Sequence, residues 1–113
     1  MSEMNGNGTA LFRFRLYLAG STPNSVQARA NLGALCRKHL PGRYKIEIVD
    51  ISRTPSRALT DGVFMTPSLI KLAPSPVRMI VGTLTASATL LQALGLAAAV
   101  PESADGQGSA GGN

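Results

Sequence analysis

Two Thr-Pro pairs constrain this chain more than any other feature, because each follows an alternating apolar run and opens a helical pattern. In the first run, Leu11 to Leu18, the side chains of Phe12, Phe14, Leu16 and Leu18 fall on one face of a strand and Arg13 and Arg15 on the other. Gly20-Ser21 ends it. Thr22 suits the N-cap and Pro23 the first helical position, where a missing N–H costs nothing. The helix runs to about His39, with Ala28, Leu32, Leu35, Cys36 and His39 on one stripe, and Pro41-Gly42 stops it. Tyr44 to Ile51 is a second strand. Thr54 and Pro55 repeat the cap-and-proline start for a short helix over about 55–62.

After Met65-Thr66-Pro67 a third strand spans Ser68 to Leu72, Pro74-Ser75-Pro76 turns the chain, and Val77 to Val81 forms a fourth. Gly82-Thr83-Leu84-Thr85 opens a last helix that is expected to end near Ala98. The order βαβαββα implies a parallel first pair joined by a right-handed crossover, followed by a hairpin. This is an α/β fold of the thioredoxin-like kind: a four-stranded mixed sheet with helices on both faces, strands one and three central, two and four at the edges. Pro67 stands where that fold carries a cis-proline. The 113 residues fit one domain. Residues 1–10 and 99–113 are rich in Gly, Ser, Asn and Ala and read as disordered extensions of a domain over 11–98.

Chemistry is sparse. The start of the first helix holds Ser21-Thr22-Pro23-Asn24-Ser25 and no sulfur, so thiol–disulfide exchange has no nucleophile there. Cys36 is the one cysteine and His39 the one histidine. The first reads as a small buried hydrophobe and the second as a helix-terminal cation. No catalytic constellation, phosphate loop, cofactor site or metal-ligand set is legible. The residues point away from an enzyme. No apolar run reaches the roughly 18 residues that cross a bilayer, and no signal peptide is visible, so the expectation is a cytoplasmic protein.

All eleven basic residues lie in the domain, opposed there only by Glu47, Asp50 and Asp61. That excess suits an acidic protein surface. It argues less for nucleic acid, since the basic residues are spread over every element and the aromatics fit core positions. Between Arg78 and Glu102 no residue is charged. Leu84, Leu90, Leu91 and Leu94 make the last helix apolar nearly all round, and self-association through it, or a partner on it, is expected.

Four blocks closely resemble the KaiB family: Leu16 to Ser25, Ile48-Val49-Asp50-Ile51 with Pro55, Met65 to Leu69, and Pro74 to Gly82. They keep family order and spacing across about 11–96. The resemblance implies a non-enzymatic adaptor that docks on a KaiC-type ATPase ring. It also implies a relation to the thioredoxin-like sensory domain of the histidine kinase SasA, so a module serving a kinase is the alternative. The family has two folds, one with a rearranged C-terminal half; the thioredoxin-like one binds KaiC. On the resemblance, the segment that meets the ring comprises Ile51, Arg53, Pro55, Arg57, Leu59 and Val63. The edge strand Tyr44, Lys45, Ile46, Glu47 and Ile48 is the one the family offers to KaiA, though departures around Lys45 and Glu47 argue against KaiA capture here. Typical members read Gly-Asp-Leu-Ser where this chain has Gly82-Thr83-Leu84-Thr85, and carry an Asp and a Tyr where it has Gly95 and Ala98. Loss of those groups leads us to expect the thioredoxin-like fold even in the free chain.

Overall fold

A computed structural model describes residues 10–96. The expected terminal extensions, Ala10 apart, and the residues around Ala98 lie outside that range. The order is β1 (Phe12–Leu18), α1 (Pro23–His39), β2 (Tyr44–Asp50), α2 (Pro55–Thr60), β3 (Ser68–Ala73), β4 (Arg78–Val81) and α3 (Ala88–Ala93). The sheet runs β2-β1-β3-β4. β1 and β2 are parallel in unbroken register from Phe12↔Tyr44 to Leu18↔Asp50, while β3 is antiparallel to both β1 and β4. The Thr66–Pro67 peptide is cis, as its place in the sequence suggested, and so are Ala73–Pro74 and Ser75–Pro76.

The two faces of β1 explain the layering. Phe12, Phe14, Leu16 and Leu18 point into a core closed by Ala28, Leu32, Leu35 and Cys36 of α1 and by Leu84, Leu90 and Leu94. The opposite face is also covered. There Tyr17, with no exposed surface, packs with Val49, Ala58, Val63 and Ile70 beneath α2. Each fully buried aliphatic or aromatic side chain contributes about 1.5–3 kcal/mol.

Both threonines stand at the N-cap positions of α1 and α2, but neither side chain caps its helix. Thr22 instead donates to Ser25 Oγ (2.8 Å), which also accepts from the Ala19 N–H (3.0 Å). The proline at the first turn of each helix does the starting. At the other end of α1, Leu40 N–H returns to the Cys36 carbonyl, and Gly42 takes φ +72°, a left-handed turn that glycine adopts without strain.

The last helix departs from expectation. It opens at Ala88, five residues later than Thr83, and stops at Ala93. Ser87 is its cap, accepting from the Leu90 N–H at 3.0 Å. Thr83 and Thr85 are β-branched, which disfavours a helix start there. Leu84 between them takes φ 62° and drives its side chain into the first core, while Asn31 holds the Thr83 carbonyl at 2.7 Å. Gly95, at φ +76°, ends the helix in the position where a left-handed residue is favoured. The shorter helix is also less uniformly apolar at its surface than expected. Leu84, Leu90 and Leu94 are buried by the chain's own β1 and α1, and the outward side of α3 carries Ala88, Thr89 and Gln92. Leu91, half-buried against the first core, is the leucine of the expected set that keeps some surface open.

Candidate functional site

The segment from Asp50 to Met65 gathers the candidate contact residues, and Asp50 sets its start. Its Oδ1 accepts from Gly20 N–H (3.1 Å), Ser52 N–H (3.0 Å) and the Ser52 hydroxyl (2.7 Å). Those donors, the Ser52 hydroxyl first, hold the carboxyl below the usual aspartate range. The Asp50 carbonyl receives the N–H groups of Arg53 and Thr54, both at 3.0 Å. The chain is thus turned sharply into α2.

A polar network then clamps α2 to the sheet. Arg15 Nε donates to Glu47 (2.7 Å) and its Nη1 to Asp61 (2.9 Å), while Arg57 donates to the other Glu47 oxygen (2.8 Å). The Tyr17 hydroxyl donates to Asp61 and lies 2.9 Å from the Arg57 carbonyl. Arg15 and then Arg57 hold Glu47 below its ordinary range; the Tyr17 hydroxyl, followed by Arg15, does the same for Asp61. Burial, with Asp61 adding to it, pushes the Tyr17 phenol up.

The six residues expected to meet a partner divide accordingly. Arg53, Pro55 and Leu59 are exposed, Leu59 by 72%. Ile51 is half-buried against the second core. Val63 is 5% exposed and belongs to that core, so it is corrected from contact residue to packing residue. Arg57 already pairs with Glu47, which makes it a clamp rather than a free cation. Two residues were missed: Phe64, 85% exposed, and Met65, 64% exposed. Val63 N–H bonds the Ala58 carbonyl at 2.8 Å and Ser68 Oγ donates to the Met65 carbonyl, so the loop that carries both side chains is anchored at each end. Large apolar residues followed by Thr66-Pro67 read as the approach to a strand; only the fold turns them outward.

Tyr44 to Ile48 lie on β2, an edge of the sheet as expected. Tyr44, Ile46 and Ile48 lean on the first core, and Lys45 and Glu47 are exposed. Cys36 is fully buried on α1, and burial pushes its thiol up to about 11. No group of three or more metal-ligating side chains occurs among the described residues, and no helix among them is long and apolar enough to cross a membrane.

The sheet order, the cis-proline before β3 and a first helix that begins without cysteine define a thioredoxin-like protein whose Cys36 lies away from the position of a redox thiol. Solved structures agree on the fold. Chloroplastic thioredoxin z superposes with a TM-score of 0.62 at 14% identity, covering 75% of this chain and 76% of that one. The N-terminal domain of Synechococcus elongatus SasA gives 0.58 at 13% identity, covering 74% of this chain and 79% of that domain. The KaiB domain family matches residues 15–96, and the chain belongs to that family. Among relatives, the circadian clock oscillator protein KaiB of Thermostichus vulcanus is 41% identical over 71 residues, 63% of this chain and 66% of its own length, just under two thirds. The circadian clock protein KaiB3 of a Synechocystis strain is 36% identical over 88 residues, 78% of this chain and 83% of its own length.

Proposed function

We propose that this chain is an adaptor that docks on a KaiC-type ATPase ring through α2 and the loop after it, and so regulates the ring's cycle or output. The observation that carries the reading is the exposed apolar group Leu59, Phe64 and Met65, in a segment that also exposes Arg53. Apolar side chains this open cost solubility and are retained where another surface covers them. Exposed aromatic and arginine side chains are residue types found in interface hot spots. Family membership supports the partner class. The proposed ring surface is apolar at its centre and acidic opposite Arg53.

The test is size-exclusion chromatography with light scattering, mixing the protein with the KaiC-like ATPase of its own organism plus nucleotide. A co-eluting complex is expected. Leu59→Glu, Phe64→Glu and Arg53→Glu should each weaken it at least tenfold, with thermal unfolding unchanged because all three side chains are exposed. Arg57→Glu is unsuitable, since it breaks the clamp on Glu47. Absence of a complex in every nucleotide state after hours of incubation would overturn the reading and favour a module serving a histidine kinase.

A further inference from the structure

The opposite edge of the sheet is built differently from β2. β2 carries Lys45 and Glu47, charges that discourage an incoming strand, whereas β4 reads Arg78-Met79-Ile80-Val81. Met79 and Val81 are 45% and 51% exposed, and Val77 just before them 62%. Met79 pairs with Ile70 and Val81 with Ser68, on the face that α2 covers further along the sheet. Ile80 and Arg78 face the other way. An open groove of about 490 Å³ between β4 and α3 is lined there by Arg78, Met79, Ile80, Thr89, Gln92 and Ala93. Gly82 N–H bonds the Pro67 carbonyl at 2.9 Å; antiparallel alternation then ties Ile80 and Arg78 to β3 and turns the N–H and C=O of Met79 and Val81 to the open side.

Charge indicates what fits there. The acids among the described residues are Glu47, Asp50 and Asp61, each engaged around β1, β2 and α2. Over residues 62–96 the only charged side chains are Lys71 and Arg78, which are cross-strand partners. Neither makes an ion pair among the described residues. Lys71 is 3% exposed, its ammonium 6.0 Å from the Phe12 ring centre.

We infer that β4 is a second docking edge, which takes an extended acidic segment of a partner protein as a fifth strand. The pattern of the ligand follows from the pleat. Residues on one face lie over Met79 and Val81 and are apolar; the alternate ones enter the groove, where a carboxylate meets Arg78 and the hydroxyl and amide of Thr89 and Gln92. The buried charge of Lys71 adds to the attraction without direct contact. This inference rests on the edge alone and is independent of the ring-binding reading.

The test uses the full chain labelled with nitrogen-15 and two synthetic heptapeptides that alternate valine with glutamate or valine with lysine. The glutamate peptide should shift the amides of Met79 and Val81 and slow their hydrogen exchange at least tenfold, and the lysine peptide should do neither. Arg78→Gln should weaken binding at least fivefold and Val81→Glu likewise, while Arg53→Glu leaves it unchanged. Equal binding of both peptides, shifts confined to β2, or no shift at millimolar peptide would overturn the inference. So would protection of Met79 and Val81 in the free protein: if it grows with concentration the occupant is a second copy, and if it does not, the chain covers its own edge.

Discussion

Lys71 is the residue whose burial most needs an account. The alternation of β3 places it on the same face as Leu69, above the first core, with no carboxylate to meet it. Burial, with the Arg78 charge adding to it, pushes its ammonium below the usual lysine range. The consequence for stability has a definite sign. The folded chain holds this proton less tightly than the unfolded chain, so stability rises as pH passes through the folded value towards 10.5, the ordinary lysine value. Replacement by Met, similar in volume and uncharged, is expected to raise stability at neutral pH by about 0.5–2 kcal/mol and to flatten the alkaline rise. Urea unfolding from pH 7 to 10.5 checks both. Cys36 makes the companion case. A fully buried thiol raised to about 11 is not a nucleophile at neutral pH, so it should react with an alkylating reagent only at the rate of unfolding.

At the scale of elements, α3 shows how a short helix is held. It has six residues, too few to be stable alone, and depends on its ends and on Leu90 and Leu94 beneath it. The Ser87 cap satisfies one otherwise free N–H, so Ser87→Ala is expected to cost about 1 kcal/mol, read from the thermal midpoint. The same substitution at Thr83 or Thr85 should cost less, because neither side chain caps the helix. The pattern of leucines made α3 legible as a helix but misplaced both of its ends, since an apolar side chain carries no information about whether it is buried by its own chain or by another.

For the whole molecule, the clamp of Arg15, Tyr17, Glu47, Arg57 and Asp61 joins β1, β2 and α2. Its ion pairs are partly exposed, with 45% of the Glu47 side chain open, so solvent screens them and each contributes little by itself. The Tyr17 hydroxyl is better shielded, and Tyr17→Phe should cost about 1–2 kcal/mol. Both carboxyls are held below their ordinary values of 4.5 for Glu47 and 3.8 for Asp61. The stability they confer is therefore complete above those values and lost as pH falls through the folded ones. Asp61→Asn should remove part of this acid sensitivity, which urea midpoints between pH 2 and 6 would show.

The sequence by itself determined the order of elements, the central and edge strands, the stripe of α1, the thiol-free start of that helix and the cis-proline position. These are local periodicities and short motifs, which the chain expresses without reference to distant residues. The family resemblance put forward Arg53, Pro55 and Leu59, which are exposed, and β2, which is an edge strand. Tertiary structure alone decided the rest. Val63 and Phe64 are neighbours of similar character, yet one is in the core and the other is exposed, because the turn after α2 points them in opposite directions. Arg57 resembles Arg53 in sequence, but only the former lies within reach of Glu47, ten residues away and on another element. Burial and pairing depend on which surfaces meet across the sheet, and that is settled by packing between segments far apart in the chain.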